Sequence, residues 1–132
     1  MNEVEFVVVW ALAAEQEEDC WIMVKNRNRG WELPGGRILD NESPDEAALR
    51  ELYEEAGILG TAKAIEFSLI DNGCVVLVHV DGMVDPEPWF SHDDSIGEVG
   101  WCLQIPEGTA WDPGELAMIK NHDWSSAMSL VS

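Results

Sequence analysis

The chain has 132 residues, 46% of them apolar and seven of them Trp, which suits one packed domain over residues 1–132 and argues against a disordered chain. Seven basic residues against 26 acidic ones leave a net charge of −19, so the surface repels nucleic acid and anionic membranes. Cys20, Cys74 and Cys102 are odd in number and lack a C-x-x-C pair, as expected of reduced thiols in a cytoplasmic protein rather than a disulfide framework or a zinc site.

In chain order, "VEFVVVWALA" (Val4 to Ala13) is a near-continuous apolar run rich in β-branched residues and reads as a buried strand. No basic leader precedes it, and no apolar run approaches the roughly 20 residues that span a bilayer, so neither a secretory signal nor a membrane partner is expected. An acidic turn, "EQEED", leads to a second strand, "CWIMVKN" (Cys20 to Asn26). A polar hairpin loop, "NRNRG", then enters "WELPGG", where Pro34, Gly35 and Gly36 predict irregular backbone that comes close to a ligand. A helix follows, with Ser43 as N-cap, Pro44 in the first turn, Glu46 completing a capping box and Gly57 ending it. Its periodicity puts Leu49, Leu52, Tyr53 and Ala56 on the packed side, and Glu51, Glu54 and Glu55 on an open side over Ala47 and Ala48. Two strands, "AKAIEFSLI" and "CVVLVHVDGMV", flank the turn Asp71-Asn72-Gly73. The loop "DPEPWFSHDDS" precedes another strand, Gly97 to Ile105, and a last helix from Asp112 to Asn121 with a capping box of Asp112, Pro113 and Glu115. Residues after Trp124 carry little pattern and are expected to fray. Strands around one central helix, with a second helix at the end, predict a mixed α/β sandwich.

Charge is unevenly spread. Lys25, Arg27, Arg29, Arg37 and Arg50 are five of the seven bases and lie in one segment, as if an anion is met there; neutralisation of nearby acids is the plain alternative. The acid excess reads as adaptation to a salt-rich cytoplasm, where a Debye length of about 3 Å at 1 M salt screens self-repulsion. Glu51, Glu54 and Glu55 lie three and four residues apart, a spacing at which like charges destabilise a helix by a few tenths of a kcal/mol per pair. Such a trio is either a solvated face or a set of oxygen ligands for a hard cation such as Mg²⁺, which takes carboxylates, water and phosphate oxygens. A backbone carbonyl of the Gly35-Gly36 turn is a further ligand candidate.

The full spacing decides between these readings. Gly36, five residues, Glu42, seven residues, then Arg50-Glu51-Leu52-Tyr53-Glu54-Glu55-Ala56-Gly57-Ile58 resembles the signature box of the Nudix hydrolases at every defined position over 23 residues, and "WELPGG" resembles its lead-in. The resemblance implies a Nudix-type α/β/α sandwich with a mixed sheet, a central catalytic helix and a C-terminal helix. It implies a pyrophosphohydrolase that cleaves a nucleoside diphosphate linked to another group by water attack at phosphorus, with Mg²⁺ as cofactor and Mn²⁺ as substitute. Gly36, Glu51, Glu54 and Glu55 would hold metal; Arg50 would orient a carboxylate and Glu42 brace loop and helix. Glu54, Arg50 and Glu51 carry catalysis in this reading. The water-activating group is either a glutamate inside the box or a later acid, for which Glu98 is the candidate, with Asp93 and Asp94 behind it.

Arg27, Arg29, Arg37 and Trp31 are the expected substrate contacts; Trp10 and Trp31 are the candidates for stacking a nucleobase. His79 reads as packed, and His92 as a loop residue that can approach substrate. Roughly sixteen residues past the box, where ADP-ribose hydrolases tend to carry a proline and dinucleoside polyphosphate hydrolases a tyrosine, stands Gly73-Cys74-Val75, which tilts the reading towards nucleoside triphosphates or broad specificity. A non-catalytic nucleotide sensor and an isomerase of allylic diphosphates on the same fold are the rivals; the intact glutamates oppose the first and the placement of the cysteines the second. A small-molecule partner is expected, and a homodimer stays open.

Overall fold

The computed structural model describes residues 4–16 and 18–130. Among these residues, eight strands and two α-helices are arranged in the order β1 (Phe6–Ala13), β2 (Trp21–Asn26), β3 (Gly30–Glu32), β4 (Gly35–Arg37), α1 (Pro44–Ala56), β5 (Thr61–Glu66), β6 (Gly73–Val80), β7 (Ile96–Cys102), α2 (Pro113–Lys120) and β8 (Met128–Ser129). They build one mixed sheet with the path β3-β2-β1-β6-β5-β8; β4 joins β1, and β7 joins β2. Of the strand pairs among the described residues, only β1 and β6 run parallel, in register from Phe6↔Gly73 to Ala13↔Val80, and both are buried along nearly their whole length.

Strand alternation sorts the core into two layers. Val7, Val9 and Ala11 of β1 join Ile22, Val24, Val76 and Val78 beneath Ala48, Leu52 and Ala56 of α1. Val8 and Trp10 join Trp21, Met23, Val75 and Leu77 against Leu116 and Ile119 of α2. The sheet between two helices is the α/β/α sandwich expected. No helix among the described residues is long and apolar enough to cross a membrane.

Helix α1 forms as its caps dictate. The Ser43 side chain accepts from the Glu46 amide, Glu46 returns to the Ser43 amide, and Gly57 closes the helix at φ 72° with its N–H on the Tyr53 carbonyl. Four features differ from what the sequence predicts. Gly35 and Gly36 do not break regular structure; they form β4, antiparallel to Phe6–Val8. Glycine is needed there for proximity, since a Cβ on Gly35 would collide with the Val7 carbonyl. Tyr53 is exposed rather than packed on the sheet. Asp112 precedes α2 but makes no side-chain cap. The segment after Trp124 is held: Met128 and Ser129 pair with Ile65 and Ala64, and Leu130 N–H donates to the Lys63 carbonyl. Part of the acidic turn, residue 17, lies outside the described residues.

Candidate active site

β1 and β2 touch in register only at Leu12↔Trp21, so the chain between them opens, and β4 fills the opening beside the start of β1. That places Gly35 and Gly36 directly under α1. The Glu51 carboxylate lies against Gly36 so closely that a Cβ there would stand 2.7 Å from its Oε1. The Gly35 N–H donates to Glu55 Oε1 at 2.9 Å. Glu51 and Glu55 therefore flank the buried arc of α1 instead of pointing away from it, while Glu54 is open, with a side chain 52% exposed. This is why the helix carries Ala47 and Ala48, both fully buried: small residues let α1 approach the sheet while the longer carboxylates reach past it.

Arg50 organises the cluster. Its Nε and Nη2 grip both oxygens of Glu42 at 2.8 and 3.0 Å, its Nη1 reaches Glu51 at 2.8 Å and Glu54 at 3.2 Å, and Nη2 also donates to the Arg37 carbonyl at 3.0 Å. Bidentate contact of this kind fixes both partners in one plane. The Arg50 hydrogen bond holds the Glu42 carboxyl below its usual range, and Glu42 in turn raises the guanidinium further. Glu42 also accepts the Leu39 amide at 3.0 Å, which ties the loop before α1 to the helix.

The deeper carboxylates behave differently. Burial raises the Glu51 carboxyl even though Arg50 opposes it. Burial pushes Glu55 up to about 8, against the pull of the Gly35 N–H, and the charges of Glu51, Asp93 and Glu32 add to the rise. Glu55 thus feels the charges of three other acids, one of which, Glu32, is paired with Arg29 at 2.8 Å. Among the described residues no three His, Cys, Asp or Glu side chains converge in metal-ligating geometry, because Glu51 turns to Arg50 and Glu55 to Gly35.

A family model described as the NUDIX domain matches residues 3–103. The chain belongs to the Nudix family. An "8-oxo-dGTP diphosphatase" of Proteus vulgaris is 64% identical over 28 residues, 21% of this Nudix chain and 25% of that protein. A "Putative 8-oxo-dGTP diphosphatase YtkD" of Bacillus subtilis is 46% identical over 37 residues, 28% of this chain and 23% of that one. The matches thus span no more than a quarter of these relatives' length. A solved UDP-X diphosphatase is similar in fold, with TM-score 0.62 and 16% identity over 91% of this chain and 62% of its own. MutT from Aliivibrio salmonicida and Vibrio cholerae gives TM-score 0.56 and 24% identity over 91% and 99%. At such identities the likeness concerns the fold.

Around the Nudix box the structure distributes the expected residues unequally. Gly36, Arg50, Glu51, Glu54 and Glu55 come together. Asp93 is brought to them from the loop before β7; with His92 it lines a hollow shared with Tyr53 and Glu54. Glu98 instead sits on β7 opposite Lys25 and lines a second hollow with Lys25, Arg27, Phe90 and Gly97. Arg29 is engaged by Glu32 at 2.8 Å, and Arg37 is exposed beside the box. Trp31 is half-buried with Lys25 Nζ 6.0 Å from its ring centroid. Trp10 is core, stacked on Trp21 at 5.1 Å, and not a candidate for a nucleobase. His79 is packed on β6, where burial lowers its pKa.

Glu32 and Asp93 were not legible as neighbours of Glu55, since 20 and more positions separate them and only the fold closes the distance. Trp89 was also missed: its Nε1 donates to the Ala56 carbonyl at 2.8 Å and caps the end of α1. The cysteines are free, and burial raises all three thiols, Cys74 and Cys102 up to about 11, which suits inert residues rather than nucleophiles.

Proposed function

We propose that this chain is a Mg²⁺-dependent pyrophosphohydrolase acting on a nucleoside diphosphate linked to another group, nucleoside triphosphates included. The observation that carries the reading is the Arg50 network, which holds Glu42, Glu51 and Glu54 together beside the glycine backbone of β4. The donors suit a hard cation: they are oxygens only, partly withdrawn from water, and crowded enough that burial and mutual repulsion raise Glu51 and Glu55. Glu51, Glu54, Glu55 and the Gly36 carbonyl would hold the ion. Bound there, it would neutralise phosphate charge and make an adjacent water more acidic.

The chain's own groups do the rest. Arg50 keeps Glu51 and Glu54 oriented, and Glu42 holds Arg50. Water oxygen attacks phosphorus, the bridging P–O bond breaks, and a carboxylate takes the water proton. Glu54 and Asp93, which border one hollow, are the acceptors in this reading, with Glu98 as the alternative if substrate extends across the loop. The 8-oxo-dGTP diphosphatase relatives support a nucleoside triphosphate substrate.

A nucleotide-binding module without turnover is the second reading, favoured by the engagement of Glu51 with Arg50 and of Glu55 with Gly35. A panel of nucleoside triphosphates and diphosphate derivatives, assayed for phosphorus-containing products with and without Mg²⁺, separates the two. Metal-dependent release of a nucleoside monophosphate supports the enzyme; tight binding with no product supports the module. The salt-rich cytoplasm is tested separately by thermal unfolding from low to molar KCl, where Tm should rise with salt because screening relieves self-repulsion of the −19 charge.

A further inference from the structure

The segment between β6 and β7 is largely exposed over its first half, at Asp81, Gly82, Met83 and residues 85–88. Trp89 anchors it. The Trp89 N–H donates to the Val99 carbonyl at 2.9 Å, and the Val99 N–H donates back to the Trp89 carbonyl at 2.8 Å. Val99 is fully buried and pairs on its other side with Val24, so this bridge is tied to the β2–β7 ladder. The Trp89 side chain joins the core layer beneath α1, together with Ile58 and Trp101. Its Nε1 donates to the Ala56 carbonyl at 2.8 Å.

The helix does not need that bond in order to end. Gly57 already stops α1, in the left-handed region at φ 72° with its N–H on the Tyr53 carbonyl. A phenylalanine ring would serve the core, and water can satisfy a carbonyl at a helix end. What the indole N–H adds is a link between two pieces of chain that carry acids. Glu54 and Glu55 directly precede Ala56, and Asp93 follows Trp89 by four residues. Glu54, His92 and Asp93 border one hollow. Each side is held on its own. Arg50 reaches Glu54 from within α1 at 3.2 Å. In the loop, the Asp93 N–H donates to Ser91 Oγ at 2.9 Å, and Asp93 Oδ1 accepts from the Ser95 N–H at 2.9 Å and hydroxyl at 2.7 Å. Arg27, next to β2, holds the Asp94 and Ser95 carbonyls, both at 2.9 Å. Asp93 is thus fixed to β2 and β7, Glu54 is fixed to α1, and Trp89 spans the two.

We propose that Trp89 is a positioning residue for hydrolysis, whose indole N–H on the Ala56 carbonyl sets the distance between the Glu54 end of α1 and Asp93. The proposal rests on the pyrophosphohydrolase reading for the reaction that this spacing serves. Trp89 touches no reacting atom; it acts through Glu54 and Asp93. A displacement of about 1 Å at a reacting group can cost on the order of 10²-fold in rate, so a bond that fixes a spacing matters more to turnover than to the fold.

Trp89→Phe keeps an aromatic ring in the core and removes the donor. With Mg²⁺ and the best nucleotide of the panel above, it should lower kcat about tenfold and leave KM within about twofold. In an Asp93→Asn background the same substitution should cost less than about twofold, because the spacing then serves no acceptor. Equal losses in both backgrounds overturn the proposal, since Trp89 would then act on the fold alone. Where Trp89→Phe fails to fold, a tryptophan analogue with sulfur in place of the ring N–H, introduced at position 89 alone, keeps the volume and should show the same loss; full turnover with it overturns the role of the N–H. In EDTA and without substrate, Trp89→Phe should speed hydrogen exchange about fivefold in peptides covering residues 89–96, with those of β1 and β6 as in the parent. Unchanged exchange in the loop overturns the link. Failure of the hydrolase reading is seen separately, as absence of Mg²⁺-dependent product from the unaltered protein.

Discussion

Arg50 and Arg27 belong to the same basic segment and are used in opposite ways. Arg50 donates through all its nitrogens, to three carboxylates and the Arg37 carbonyl, and only 24% of its side chain is exposed. Arg27 is exposed and donates to a single side of the loop, the Asp94 carbonyl. An arginine surrounded by acids of its own chain is part of the scaffold, and one held by neutral carbonyls keeps its charge for something else. Equal sequence signals therefore divide into a residue that shapes a site and a residue able to meet a ligand.

Substitutions on the two sides should separate accordingly. Glu54→Gln has the largest expected effect: it removes one exposed carboxylate from the box, so kcat should fall by about 10²-fold or more while Tm stays near that of the parent. Unchanged turnover with an intact fold would remove the argument from the box. Arg50→Lys comes next, since a point charge cannot replace the bidentate fork on Glu42 and leaves Glu51 short of a donor. Turnover should drop roughly tenfold and stability by about 1 kcal/mol, a figure kept low because the network is partly solvated. A loss of turnover without any change in Tm would contradict the scaffold role. Arg27→Ala should leave Tm unaltered and raise KM for a nucleotide roughly fivefold, as expected for one lost charge-assisted contact. A large fall in Tm would place Arg27 with Arg50 and dissolve the contrast.

A carboxylate far from both gives the smallest effect. Glu66 on β5 accepts from the Phe67 amide and meets His122 Nε2 at 2.9 Å. Burial works to raise its pKa, but hydrogen bonds from Ser68 and His122 prevail and hold it below the usual carboxylate range. A depressed folded-state pKa stabilises the fold above the unfolded value and loses that contribution as pH falls through the folded one. The Tm difference between the parent and Glu66→Gln should accordingly be present near neutrality and shrink below about pH 4. A difference that grows on acidification would reverse the assignment.

Helix α1 was readable residue by residue, because Ser43, Glu46 and Gly57 act within a few positions of themselves and capping is a local event. The strands with long apolar alternation were readable for a similar reason. Gly35 and Gly36 misled, since their freedom of conformation is local but their role, close passage beside Val7 and Glu51, is a matter of who arrives from elsewhere. The tail after Trp124 carried no pattern because a two-residue strand is specified by the edge of β5 rather than by its own side chains. Tyr53 shows the same limit: helical periodicity assigned it to the packed face, whereas in the fold it is exposed and lines the hollow with Glu54, His92 and Asp93.

The linear order of residues alone was sufficient for the family, the capped helix and the identity of the box carboxylates, since each depends on spacing within one short segment. Tertiary structure decided the rest. It set which carboxylates are buried, which arginine is engaged and which acid joins from the later loop, because these follow from desolvation and charge at a few ångströms between groups that the chain itself keeps far apart.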